Sequence, residues 1–506
     1  VAIFPVNINQ LPLLLPMVAV DDAQSANAAR TIVRLLQGIS PSQFAWVDRE
    51  VRRASYGVYH VDNPWSTFSP ERVYRACQSE TFDPVVIGLF GSHRNGFVRA
   101  AVLECLAGVV DGREIPFLAL RANDWVPPVA ARAAQLLMQR LRPENLGTVL
   151  AMLPFFVRML GPHRRDHHEL LQVLRSVLLS DGGDAALRRA ASFDTGVRRR
   201  LYDLLDNPGA DAELRIVKAA LNDPDAVIRV RALRRLASIE GTAKRATVFE
   251  RFVHEDPVPA VRRLALSSLS IAAPGRMAAV VPSALLDRAA RMRALARSLV
   301  VQHKLTVVPR DIYIQRLKGA AIARELAAAI EGLGETGNRA DLPLLAPFLE
   351  NSTGGVRRAA LSATVTLDVE GAIPQAIAAL DDEARSVRTV AVRILKLHAS
   401  RAEFEVVSRR VRALADPSAR RMLMPLLRAA PKWDAAVYLL EGLTDGDEKV
   451  RTVASTLLDG WLDDFNRSQV TPDADQMIRI RQLLDLVGGQ LSTEAMRLMR
   501  LSIASL

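Results

Sequence analysis

Three histidines fall within six residues, His163, His167 and His168, with Asp166 and Glu169 beside them, and these are side chains a zinc site uses. On a helix His163 and His167 would share a face. Gly161 and Pro162 put the helix start inside the group, and Arg164 and Arg165 would repel a cation. The expectation is therefore a polar helix start whose carboxylates sit near the positive end of the dipole, with no metal and no cofactor. Enzyme templates are missing as well: the sequence has no G-x-x-x-x-G-K-[ST], no H-E-x-x-H and no G-x-S-x-G. The glycines Gly332, Gly334 and Gly337 read as a turn between two helices. A non-enzymatic chain is expected.

Positive charge is the more abundant resource. From Arg288 to Arg324 stand nine basic residues and a single acid, Asp311. Arg310, Arg316 and Lys318 surround one helical stretch there, and Arg409, Arg410 and Arg412 occupy another further on. Such a stripe could bind a phosphate backbone or an acidic peptide, against the plainer alternative of a solvated helix face. A second cluster, Arg188, Arg189, Arg198, Arg199 and Arg200, is spread around its helix by the helical turn and reads as solvated surface. Aromatic side chains form a third group: Phe44, Trp46, Tyr56, Tyr59, Trp65, Phe68 and Tyr74. Either they cap the first repeat with large side chains, or Trp46, Tyr56, Tyr59 and Trp65 form a docking patch for a partner.

The elements that must position these residues are helices. The 506 residues are 49% hydrophobic but only 5% aromatic, rich in Ala, Leu and Arg, which suits helices and not strands. Formal charge is +11. No run of 18 apolar residues occurs, and Leu11 to Val20 is short and broken by Pro12 and Pro16. Cys77 and Cys105 cannot build a disulfide framework and fit a reducing compartment, so a cytoplasmic location is expected.

One phrase returns along the chain: an apolar residue, then Arg, then a small residue three positions after the Arg. It stands at Ile228-Arg229, Val261-Arg262, Met292-Arg293, Ala323-Arg324, Val356-Arg357, Val387-Arg388, Ala419-Arg420 and Val450-Arg451, in steps of 31 to 33 residues, with Leu423 in the small residue's place after Arg420. A repeat of that period means an α-solenoid, in which each unit buries its apolar face on its neighbours. Small residues such as Ala265 let the next helix approach. The Asp-Pro pairs at 223 and 256 read as an N-cap and first helical residue. Four segments follow: 1–90, an aromatic-rich non-repeat region; 91–210, irregular helical repeats whose register is lost over 145–210, by a hinge or two worn repeats; 211–490, the regular array; and 491–506, a C-terminal capping helix.

The pattern D-P-x-x-x-V-R-x-x-A-x-x-x-L, carried by Asp256, Pro257, Val261, Arg262, Ala265 and Leu269, resembles the HEAT repeat, in its bacterial phycobilin-lyase-type form. The resemblance covers about 211–490 well and 91–145 loosely. It implies an all-α fold, a right-handed α-α superhelix of helix pairs with the second helices on the concave side. It also implies that the motif Arg pairs with Asp at the preceding turn of its own or the adjacent repeat. Asp stands at 223, 256, 287, 382 and 445, whereas Lys318, Asn351 and Leu414 depart from the pattern. A buried guanidinium must be paired, so the ladder accounts for eight positive charges without a partner.

The resemblance implies no single activity. The first expectation is a scaffold or adaptor holding a protein partner along the concave face or at the N-terminal region. The second is a nucleic-acid-binding solenoid using Arg310, Arg316, Lys318, Arg409 and Arg410. A HEAT-like lyase or DNA glycosylase is a remote third, for which Trp433 and Asp434 alone are too few.

Overall fold

The computed structural model describes residues 10–19, 23–56, 65, 68–79, 82–159, 167–180, 183–206, 210–239, 245–319, 322–464, 470–491, 495–497 and 499–500. Among these residues the elements are α-helices and short 3-10 turns, with no strand. The chain divides into two compact units, Val1–Thr242 and Ala243–Leu506. Within each, helices alternate as first and second members of pairs, and first helices pack on first helices: Gly96–Ala107 on Pro127–Arg140 in the first unit, and Gly354–Leu367 on Arg385–His398 in the second. Pro259–Ala272 shows why. Its Val261, Ala265 and Leu269 form one apolar face at helical spacing and are fully buried. Among the described residues no single helix is long and apolar enough to cross a membrane.

The turn that starts each first helix differs from the expected cap. Asp223 and Asp256 are not N-caps; they stand two residues earlier, where their Oδ1 atoms accept from the backbone N–H of Asp225 and Val258, at 2.8 Å in both cases. The N-caps are Asp225 and Val258 themselves, and Pro257 lies outside its helix. The early position leaves the rest of the carboxylate free to face sideways into the stack.

That sideways bond is the ladder. Arg262 Nε and Nη2 donate to Asp287 at 2.8 and 2.7 Å, while Nη1 donates to the carbonyls of Asp256 and Pro257 in its own turn. Arg357 does the same to Asp382 and to the carbonyls of Asn351 and Ser352, and Arg420 to Asp445 and to the carbonyls of Leu414 and Ala415. The Asp therefore belongs to the following repeat, and the turn of the Arg's own repeat supplies carbonyls. A guanidinium with five donors is satisfied on both sides, which lets it stay buried. Arg388 is one exception. Its Nη1 reaches the carbonyls of Asp382 and Glu383, but Leu414 stands where the next Asp would be, and the buried Nε has no hydrogen-bond acceptor.

Three expectations need correction. Arg198 is not solvated surface: it is buried and donates to Asp223, so the ladder register resumes at Val197-Arg198, 31 residues before Ile228. Arg199 pairs with Asp225, while Arg188 and Arg189 are exposed. Second, Ala323-Arg324 is not a copy of the phrase. The helix Ala323–Thr336 has Ile322 as N-cap, whereas Val261 and Val356 lie three residues beyond their N-caps. The equivalent Arg position here is Leu326, and the buried small residue is Ala329 rather than Ala327. Leu326 and Asn351 thus lose both ends of one rung together. Arg293, lacking an Asp at the following turn, pairs instead with Glu331 at 3.0 Å and with Glu335.

Third, Gly332 and Gly334 lie inside that helix, not in a turn. A Cβ on Gly332 would overlap the ring of Tyr313, and one on Gly334 would press on Ala363. These glycines let a buried tyrosine and the Gly354–Leu367 helix close against the backbone.

At the N-terminal end, Trp65 is core: it is 3% exposed, with its ring 5.5 Å from Phe68 and 5.1 Å from His93, and its carbonyl bonds His93 Nε2. Cys77 and Cys105 are free thiols, and burial and the neighbouring Cys77 push the Cys105 thiol up. Of the C-terminal stretch, Ala495 and Met499 are buried and most of the remainder lies outside the described residues.

Candidate docking groove

The second unit carries an open groove of about 940 Å³. Its floor comes from two second helices, Met277–Leu285 through Ala279, Pro282 and Ser283, and Pro309–Lys318 through Ile312, Gln315 and Arg316. Its rims are the inter-repeat turns at 253–257 and 286–288 and the first turn of Ala323–Thr336, which brings Arg324 and Glu325. Pro282 has no N–H to give the carbonyl of Ala278, so a backbone acceptor is left without its helical donor on an exposed stretch. Both signs of charge line the groove: Arg316 pairs with Glu325 at 3.2 Å, Arg262 with Asp287, and Arg288 Nη2 donates to Pro257 O at 2.6 Å.

Beside it lies a smaller hollow of about 280 Å³, walled by Arg288, Arg324, Ala327, Glu331, Thr353 and Arg358 among others. Arg288 and Arg324 belong to both. The two cavities sit where the ladder loses its rung, and the first helices Ala290–Gln302 and Ala323–Thr336 touch only lightly there, whereas Ala323–Thr336 and Gly354–Leu367 pack closely.

The five basic side chains singled out in the sequence do not form one free stripe. Arg310, Arg316 and Lys318 share the helix Pro309–Lys318, as expected for a second helix, and Arg409 and Arg410 lie on Arg401–Ala413. Arg310 pairs with the buried carboxylate of Asp341, holding that carboxyl below the usual carboxylate range. Arg410 pairs with Asp381 at 2.6 Å, and Arg316 with Glu325 as above. Lys318 and Arg409 are exposed and form no ion pair among the described residues, though Arg409 Nε donates to the carbonyl of Glu405 and its charge acts on the Glu405 carboxylate.

Of the four residues of the aromatic docking patch, Trp46 and Trp65 have described side chains. Trp65 is buried against Phe68 and Phe90, and Trp46 is half-buried against the same core. Tyr59 and the side chain of Tyr56 lie outside the described residues. So do His163 and Asp166, and among the described residues no group of His, Cys, Asp or Glu is placed to hold a metal ion. Trp433 is buried on Trp461, and Asp434, also buried, accepts from Gln476 and pairs with Arg401.

Sequence reasoning missed the groove itself, because its walls come from three repeats and no motif marks it. It also missed Trp125, half-exposed with Arg99 and Arg52 stacked 4.1 and 5.0 Å from its ring. The one available signal for the groove was the loss of ladder residues at Lys318 and Asn351.

No family model matches the chain, and no curated protein matches it. Solved structures that include the karyopherin Kap121p and Kap95p are similar at low identity. Kap121p bound to the extreme C-terminus of the phosphatase Cdc14p is 12% identical, at a TM-score of 0.29, over 98% of this chain and 70% of that one. Kap95p bound to RanGDP is 12% identical, at a TM-score of 0.35, over 98% and 67%. Kap95 in complex with Nup1 is 13% identical, at 0.34, over 98% and 66%. On its own helices, each unit of this chain is an all-α array of first and second helices, and in the second unit an Arg–Asp ladder joins successive repeats as the resemblance to the HEAT repeat implies.

Proposed function

We propose that the chain is a non-enzymatic HEAT-type scaffold that holds a protein partner, and that the groove over Met277–Leu285 and Pro309–Lys318 is where it does so. The observation that carries this reading is the ion pairing of Arg310, Arg316 and Arg410. A surface meant for a phosphate backbone offers free cations, whereas these three are neutralised within the chain. What remains is a groove with donors, acceptors and both signs of charge, which suits a polypeptide.

The test uses the full chain as bait in native lysate, with and without nuclease, beside a variant in which Gln315→Trp fills the groove. Protein captured regardless of nuclease and lost with Q315W is the expected result. Recovery of nucleic acid alone, with an affinity that falls steeply as salt rises, would replace this reading by the nucleic-acid one.

A further inference from the structure

Arg324 differs from the motif arginines of the second unit. Arg262, Arg293, Arg357, Arg388, Arg420 and Arg451 are each bonded to turn carbonyls, carboxylates or both. Arg324 stands two residues out of register on the first turn of its helix, exposed, with no hydrogen bond or ion pair among the described residues. It lies on the wall shared by the two cavities with Arg288, which among the described residues donates to the carbonyl of Pro257 and pairs with no carboxylate. Arg358, across the smaller hollow, shares Glu331 with Arg293, so the one carboxylate lining that hollow already serves two guanidinium groups. Positive charge there is in excess of what the chain itself can neutralise.

Building on the scaffold reading, we propose that Arg288, Arg324 and Arg358 receive a carboxylate side chain from an acidic segment of the partner, whose backbone runs on into the larger groove. Charge complementarity selects the occupant. A carboxylate supplies Arg324 with the kind of acceptor that the ladder Asp supplies to the arginines in register, and Arg324 can grip it by two parallel N–H···O bonds. The mixed charge of the adjoining groove suits a peptide backbone better than a run of phosphates.

Binding of a fluorescein-labelled octaglutamate peptide to the full chain, followed by anisotropy, tests this. Wild-type protein is expected to bind, R324Q to bind about tenfold more weakly, R324K to fall between them, and R189Q, altering an exposed arginine of the first unit, to match wild type. Binding that R324Q leaves unchanged would overturn the inference. So would displacement of the peptide by an equal concentration of inorganic phosphate or of a single-stranded RNA oligomer. The scaffold reading fails separately: it stands if Q315W still abolishes nuclease-resistant capture of protein, whatever the peptide does.

Discussion

At the scale of the residue, the same chemical pair has two very different weights in this molecule. Arg99 and Asp124 are 0% and 1% exposed and meet through two bonds of 2.8 and 2.9 Å, with Arg99 Nη1 also held by the carbonyls of His93 and Arg94. Removing the carboxylate leaves a buried guanidinium uncompensated. Asp124→Ala is therefore expected to cost about 3–5 kcal/mol in a denaturant melt. At Arg316 and Glu325 each side chain is about a third exposed, and E325Q should change stability by less than about 1 kcal/mol. The need of a motif Arg for a partner is legible in sequence, since a buried guanidinium requires one. Which Asp it takes is less so: the rung spans 25 residues, from Arg262 to Asp287, and that reach depends on how two helices and their turns fold. Ala323-Arg324 fits the written pattern while the helix sets Leu326 in the ladder position, because N-cap placement and not residue type decides the register.

Among the elements, Ala323–Thr336 shows where local propensity misleads. Glycine lowers helix propensity, so Gly332 and Gly334 look like a break. The helix persists because Tyr313, fully buried, lays its ring on Gly332, and Ala363 closes on Gly334. Burial raises the Tyr313 hydroxyl above the usual tyrosine range, with Arg297 beside it opposing that shift. Gly332→Ala would improve an isolated helix yet force the ring aside. A loss of about 1–3 kcal/mol in thermal or denaturant unfolding is expected, and a gain would show that the ring moves freely. Helix content was readable from composition and the period from the recurring Arg phrase. The groove was not, since its floor joins residues of separate repeats that no sequence window contains together.

For the whole molecule, a formal charge of +11 suggested a polyanion partner more strongly than the folded surface does, because the Arg residues are extensively spent on carboxylates inside the array. That spending has a pH signature. Hydrogen bonds from Arg357 and Arg420 hold Asp382 and Asp445 below the usual carboxylate range. Their folded pKa lies under the unfolded one, so the stability they contribute is complete above the unfolded value and is lost as pH falls through the folded one. The thermal midpoint should stay level from neutrality down to about pH 5 and drop below about pH 4, and the D382N/D445N double variant should show a shallower acid limb.

The ladder also gives the array a mechanical grain. Each rung fastens one turn to the turn after it, so a chain pulled from its ends transmits load from guanidinium to carboxylate along the row. Between Arg385–His398 and Pro417–Leu427 that row is interrupted, for Arg388 finds Leu414 instead of an acid. With the missing rung at Leu326 and Asn351 this makes two seams in the row of the second unit, and an array so divided yields at its seams before its fastened repeats.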